Sequence, residues 1–234
     1  GQNIDHVWFY KNNGTNAVPD FQLKTKNFLI DEMANFYGGA DPAFGDINGD
    51  GLLDLVVGST EIIRGDSLDK KSISLLLNTG TVEDPQFTLT DDDFLGFSKN
   101  GVNSERFAPD FGDLDNDGDQ DLLVGDSSGK VFFFENTAGA NKPMAFAAPV
   151  YPYANFFETQ NAKPHITDLD DDGLSDIIMG KLNNSLIFYK NIGTTGSPKF
   201  NPNPAVFPNN KQTGNIYSVY DRKTQNGSPC LIKS

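Results

Sequence analysis

Cysteine is almost missing from this chain: Cys230 is the one example in 234 residues. A lone cysteine excludes an internal disulfide and leaves secretion undecided. Histidine is nearly as scarce, and His6 and His165 recur in no spaced cluster. Zinc, which wants thiolate or imidazole ligands, therefore has no candidate site. Positive charge is also short, with 18 Lys and Arg against 32 Asp and Glu and a formal net charge of −14. Nucleic-acid binding needs a basic face, so it is not expected. No apolar run approaches the roughly 20 residues of a membrane-spanning helix. The first residues do not read as a signal peptide, which a mature or trimmed chain would lack in any case. Helical periodicity is missing too. The stretch NFLIDEMANFYGG, residues 27–39, reads as a brief helix or an irregular loop.

What the chain has instead is aspartate at fixed spacing. Residues 46–54 read DINGDGLLD, 113–121 read DLDNDGDQD and 168–176 read DLDDDGLSD. Position one is Asp46, Asp113 or Asp168, and position three is Asn48, Asp115 or Asp170. Position five is Asp50, Asp117 or Asp172, and position nine is Asp54, Asp121 or Asp176. A glycine stands at position six each time: Gly51, Gly118, Gly173. Like charges packed this closely repel unless a cation or water screens them. A single copy would read equally well as a solvated acidic turn, but three copies do not. Oxygen ligands at one, three and five followed by Gly at six are the opening of an EF-hand calcium loop. Position seven, Leu52, Asp119 or Leu174, would add a backbone carbonyl. The closing carboxylate comes at nine rather than twelve, so the loop is shorter, and the residues after it are strand-like. An all-oxygen ligand set suits calcium; magnesium, which keeps more waters, is the harder ion to exclude. With Asn48 at position three, the first loop carries one charge fewer, so its affinity is expected to be weaker or similar.

The loops sit inside a longer repeat. Each is preceded by a short extended stretch, DPAFGD, APDFGD or KPHITD. Each is followed by an apolar strand ending in Gly, then by an aliphatic or aromatic strand ending at Asn78, Asn136 or Asn191. A Gly-containing turn and a Pro-Phe segment close the unit. The opening HVWFYKNNGTNAVPDF matches SLIFYKNIGTTGSPKF, so the chain is expected to begin inside a repeat. Near the end, Asp221 falls at position one of a decayed loop whose ligand places hold Lys223, Gln225 and Pro229, and no metal is expected there. Short strands bounded by Gly, Asn, Asp and Pro give an all-β fold. Four-stranded units in series point to a β-propeller, and the Phe-rich strand 132–134 should pack between blades.

These residues resemble the VCBS and FG-GAP families of calcium-binding propeller blades, also seen in integrin α-subunit heads. The three loops, the PDFGD lead-in, the LLVG strand and the FYKNIG strand carry the likeness over nearly the whole chain. It implies calcium between the first two strands of a blade. It also implies secreted or cell-surface bacterial proteins, in long multi-domain chains. The expected division is 1–39, second half of a blade; 40–106, 107–161 and 162–212, blades with calcium loops; and 213–234, first half of a degenerate blade. About four blade equivalents either close a ring or belong to a larger propeller, commonly seven-bladed, whose other blades lie elsewhere.

The calcium is read as structural, because four side chains and a carbonyl leave a catalytic metal little room. Abundant calcium is an extracellular condition. The leading function is a secreted or cell-surface binding or adhesion module for a protein or glycan partner. Trp8, Tyr37, Tyr151 and Tyr153 are candidates for stacking on sugars, with burial in blade cores the expected outcome for each. A polysaccharide lyase or hydrolase is the second reading, but no acid, base or nucleophile constellation breaks the repeat. An architectural spacer in a long surface protein is the third.

Overall fold

In the computed structural model the described residues are 7–15, 17–28, 35–37, 40–59, 61–64, 67–69, 73–97, 104–154, 156, 160–180, 186–206, 219, 220, 227 and 228. Their strands in chain order are β1 (Val7–Asn12), β2 (Phe21–Phe28), β3 (Asn35–Tyr37), β4 (Asp41–Gly45), β5 (Asp54–Gly58) and β6 (Glu61–Arg64). There follow β7 (Ser67–Asp69), β8 (Ile73–Asn78), β9 (Phe87–Asp91), β10 (Ala108–Gly112), β11 (Asp121–Gly125) and β12 (Val131–Phe134). The last are β13 (Lys163–Thr167), β14 (Asp176–Gly180), β15 (Leu186–Tyr189), β16 (Ala205–Val206), β17 (Val219–Tyr220) and β18 (Gly227–Ser228). Helix among the described residues is one 3-10 turn at Phe94–Gly96. None is long and apolar enough to cross a membrane.

The strands form small antiparallel sheets in the manner of propeller blades. A first sheet runs β4-β5-β8-β9, a middle sheet β10-β11-β12 and a third β13-β14-β15-β16. A two-stranded ribbon, β1-β2, precedes them. In the middle sheet the fourth strand is reduced to bridges at Phe133↔Val150 and Asn136↔Phe146. Proline explains the reduction. The amides of Thr137 and Ala147 donate to Ala145 and Glu135 in the ladder's alternation, and Pro149, next in step, has no N–H to give. Val150 donates to the Phe133 carbonyl in its place.

Residues 27–39 are not a helix where they are described. Phe28 ends β2 and Asn35–Tyr37 is a strand paired with β6. β6 and β7 continue the register of β5 and β8, with Leu55 opposite Leu76 and Ile63 opposite Leu68. The first sheet's central hairpin is therefore longer than that of the middle sheet. Fourteen residues separate β5 from β8, against five between β11 and β12. That extension supplies most of the extra chain between the first two aspartate loops. Lys223, Gln225 and Pro229 of the decayed repeat, with Asp221 and Cys230, lie outside the described residues.

Packing follows from alternation along the strands. The sequences DLVVG, DLLVG and DIIMG are buried throughout, as central strands covered on both faces must be. In the middle sheet Leu122, Val124, Phe132 and Phe134 join Val56, Ile73 and Leu75 of the first sheet in one cluster. Leu123, Val131 and Phe133 join Ile177, Met179 and Ile187 of the third in another. The period-two pattern thus sends successive Phe residues of 132–134 to opposite neighbours, so this strand does pack between sheets. Glycine permits the closest approach: a Cβ at Gly58 would lie 1.9 Å from the Phe107 carbonyl oxygen, and one at Gly125 2.1 Å from that of Ala162. The first strands also meet directly. Lys163 of β13 is ion-paired with Asp41 of β4.

Candidate metal centres

Each aspartate loop spans the turn between the first two strands of its sheet. β4 leads into 46–53 and Asp54 opens β5; β10 and Asp121 frame the second loop, and β13 and Asp176 the third. The pairing of Gly45 with Asp54, Gly112 with Asp121 and Thr167 with Asp176 fixes all three at one register.

The loops share a backbone frame. The position-one carboxylate takes two amide hydrogens, from position five through one oxygen and from the glycine at six through the other. For Asp46 these come from Asp50 at 3.0 Å and Gly51 at 2.8 Å. For Asp113 they come from Asp117 at 3.1 Å and Gly118 at 3.0 Å, and for Asp168 from Asp172 at 3.2 Å and Gly173 at 2.9 Å. The position-five carboxylate accepts from the amide of position seven, Leu52, Asp119 or Leu174. The glycines have φ of 86°, 97° and 86°, where an L side chain is strained. Position four is left-handed as well, at Gly49, Asn116 and Asp171.

Position nine does something different. Asp54, Asp121 and Asp176 are fully buried or nearly so. One oxygen of each accepts from the amide of position two, Ile47, Leu114 or Leu169. The other accepts from the amide of Asn78, Asn136 or Asn191, at 2.8, 2.9 and 2.8 Å. Each of these aspartates therefore ties the loop to the end of its third strand. Burial raises the pKa of all three, and that of Asp121 reaches about 7. Burial, reinforced by the neighbouring Asp117 charge, also raises Asp115. In the middle loop the frame gathers carboxylates whose charges oppose one another.

Carboxylate oxygens of Asp113, Asp115 and Asp117 lie within 4.8 Å of one another, as do those of Asp168, Asp170 and Asp176. Either group could hold a metal ion. Asp121 is not drawn into the first of these groups, nor Asp172 into the second. The first loop pairs Asn48 with Asp50 directly, Nδ2 donating to Oδ2 at 2.9 Å, so a side-chain amide occupies the place of one carboxylate.

Three side chains add to the site as the repeat presents it. Asn116 donates from Nδ2 to the Gly173 carbonyl at 2.8 Å and accepts from the Ser175 amide at 3.3 Å, joining the second loop to the third. Asp119 turns its side chain inward, where Gly139 N–H meets Oδ2 at 2.7 Å. Lys190 binds Asp170 and Asp172, the latter at 2.8 Å, and holds the Asp172 pKa below the usual range. Asn116 and Lys190 lie at no repeated ligand position, and Asp119 stands at position seven, where only a backbone carbonyl is expected. A legible sign was the residue before each strand-ending asparagine, Leu77, Glu135 or Lys190, which varies in charge.

The aromatic candidates divide. Trp8 is 50% exposed and Tyr151 39% exposed, against the expected burial. Tyr151 lies flat on Phe132, centroids 3.8 Å apart, and donates to Asp126 Oδ2 at 3.0 Å, so one ring face packs and the hydroxyl is held by a buried carboxylate. Tyr153 is partly buried against the cluster of the middle and third sheets, as expected. The side chain of Tyr37 lies outside the described residues.

No family model matches the chain. It is similar to integrin alpha-6 of Homo sapiens, 27% identical over 161 residues, which is 65% of this chain and 13% of that protein. It is also similar to integrin alpha-4 of Xenopus laevis, 27% identical over 156 residues, 62% of this chain and 14% of that protein. The chain thus corresponds to a small part of these relatives' length.

Proposed function

We propose that this chain is a calcium-stabilised propeller module that works outside the cell as a binding or adhesion surface. Calcium is held in three loops by Asp46, Asn48, Asp50 and Asp54, by Asp113, Asp115, Asp117 and Asp121, and by Asp168, Asp170, Asp172 and Asp176. Carbonyls of Leu52, Asp119 and Leu174 complete the ligand sets. The blades are 40–106, 107–161 and 162–212, with partial units at 1–39 and 213–234. The metal is structural, and the partner is a protein or glycan.

The observation that carries this reading is one hydrogen-bonded frame built three times at one register, with carboxylates in two copies close enough to share an ion. Similarity to integrin alpha chains supports the adhesive part. A structural ion makes folding and metal binding one equilibrium. Free calcium at about 100 times the dissociation constant would add about 2.7 kcal/mol per independent site. At this chain length that is a rise in melting midpoint of about 5 to 10 °C for one site, and more for three. The test is a pair of melts, in EDTA and in millimolar calcium, with the metal content of the protein measured beside them. Coincident curves and metal-free protein would defeat the calcium reading. A glycan-binding screen run beside hydrolysis and elimination assays separates the binding module from an enzyme.

A further inference from the structure

The three loops share a backbone frame but not a charge environment. The residue before the strand-ending asparagine is Leu77 in the first sheet, Glu135 in the middle sheet and Lys190 in the third. Lys190 Nζ reaches across to positions three and five of its own loop, bonding Asp170 and Asp172. An ammonium ion on a tether therefore stands among carboxylates that a divalent cation would need. Glu135 does the opposite, and its charge is felt at Asp115.

The middle loop has a second asymmetry. Asp119 is 5% exposed, and its Oδ1 is buried with no hydrogen-bond partner. Its backbone amide donates to Asp117 Oδ1 at 3.1 Å, which sets the residue beside the carboxylates of the loop. A buried carboxylate oxygen with no donor is costly, and a cation bound in the loop is a group that relieves it. The first and third loops carry Leu52 and Leu174 at this position, which offer no such oxygen.

We propose that the loops form a graded series of divalent-cation sites, in which Asp119 adds a carboxylate to the middle site and Lys190 is a built-in competitor at the third. This rests on the metal reading above. Calcium affinity follows ligand charge and rigidity, so the middle loop fills first. The third fills last, since its metal must displace an ammonium already held by two charge-assisted hydrogen bonds. That loop stays neutralised when calcium is low.

The glycines at position six give one reporter per loop, because the amides of Gly51, Gly118 and Gly173 each donate to the first aspartate of their own loop. Calcium is titrated into the isotopically labelled full chain while these three amide resonances are followed. In the unaltered protein the Gly118 midpoint comes first and that of Gly173 last. Lys190→Gln lowers the Gly173 midpoint by about tenfold and leaves Gly118 in place. Asp119→Asn raises the Gly118 midpoint by about tenfold. Glu135→Lys, at an exposed position, transfers the competitor and also raises the Gly118 midpoint. An unchanged Gly173 midpoint in Lys190→Gln, or an unchanged Gly118 midpoint in both other variants, overturns the grading while leaving calcium binding intact. If no glycine resonance moves with calcium in the unaltered protein, the metal reading falls and the grading falls with it.

Discussion

Phe44 and Phe111 hold the same place in successive repeats, two residues before the first aspartate of the loop, and Ile166 follows in the third. Phe111 packs into the cluster between the first and middle sheets, over Gly45 and beside Met144. Ile166 is 8% exposed and covers Gly112. Phe44 is 47% exposed. It faces the β1-β2 ribbon across a groove of about 290 Å³ lined by Phe9, Leu53, Val82, Pro85 and Phe87. The repeat makes the same residue available each time, and the neighbour decides whether it becomes core. Where a full sheet stands alongside, glycines bring the backbones together and the side chain packs against the neighbouring sheet. Where the neighbour is the ribbon, the same side chain lines an apolar groove.

The largest expected effect comes from forcing a closed junction apart. Gly125→Val places a side chain where the Ala162 carbonyl lies 2.1 Å from the would-be Cβ. Rigid backbone cannot give way as a flexible side chain would. We expect a loss of more than about 3 kcal/mol in urea unfolding, or failure to fold. A loss below about 1 kcal/mol would mean that the sheets are not held at this distance in solution.

Next in size is the contrast between the two phenylalanines. Phe111→Ala should cost about 2 to 4 kcal/mol, because the side chain packs against the cluster between the two sheets. Phe44→Ala should cost under about 1 kcal/mol, since the side chain is already half in water. Equal losses would show that the groove beside Phe44 is closed in solution.

The asparagines sharpen the same contrast at smaller scale. Asn136 Oδ1 accepts from the amides of Ala138 and Ala145, and Asn12 Oδ1 from those of Gly14 and Asp20. The local motif is the same, with Phe146 opposite Asn136 and Phe21 opposite Asn12. Asn136 is buried and Asn12 exposed. Removing the acceptor breaks two part-buried hydrogen bonds in one case and two exposed ones in the other. Asn136→Ala should cost about 2 kcal/mol and Asn12→Ala well under about 1 kcal/mol, read from denaturant midpoints.

This distinction explains how much the sequence could tell. Period and loop register were legible because they are local: a glycine at six, an asparagine ending the third strand, a phenylalanine nine or ten residues later. The faces of Phe132, Phe133 and Phe134 followed from alternation. The middle sheet's broken fourth strand was legible in principle from Pro149, yet it depends on which amide the ladder requires at that step. The exposure of Trp8 and Tyr151 was not legible, because aromatic content says nothing about what stands beside it. The roles of Lys190 and Asp119 escaped for a related reason. A repeat alignment highlights positions that stay the same, and these two matter where the copies differ.

The smallest effect separates the two closed junctions from each other. Asp110 of β10 accepts from the Ile166 amide at 2.7 Å and lies 3.3 Å from His165 Nδ1 of β13. The corresponding residue on β4 is Ala43, so the junction between the first and middle sheets has no ion pair at this place. The hydrogen bond to Asp110 raises the His165 pKa, against burial that would lower it. With the folded value above the unfolded one, the added stability is complete below about pH 6.5 and is lost as pH rises through the folded value. Partial exposure and salt screening keep it under about 1 kcal/mol. In urea titrations at fixed calcium, stability should therefore fall slightly from pH 6 to pH 8, and His165→Gln should flatten that slope. A slope that survives the substitution would place the proton elsewhere and leave the middle and third sheets joined by packing and backbone hydrogen bonds, like the first and middle.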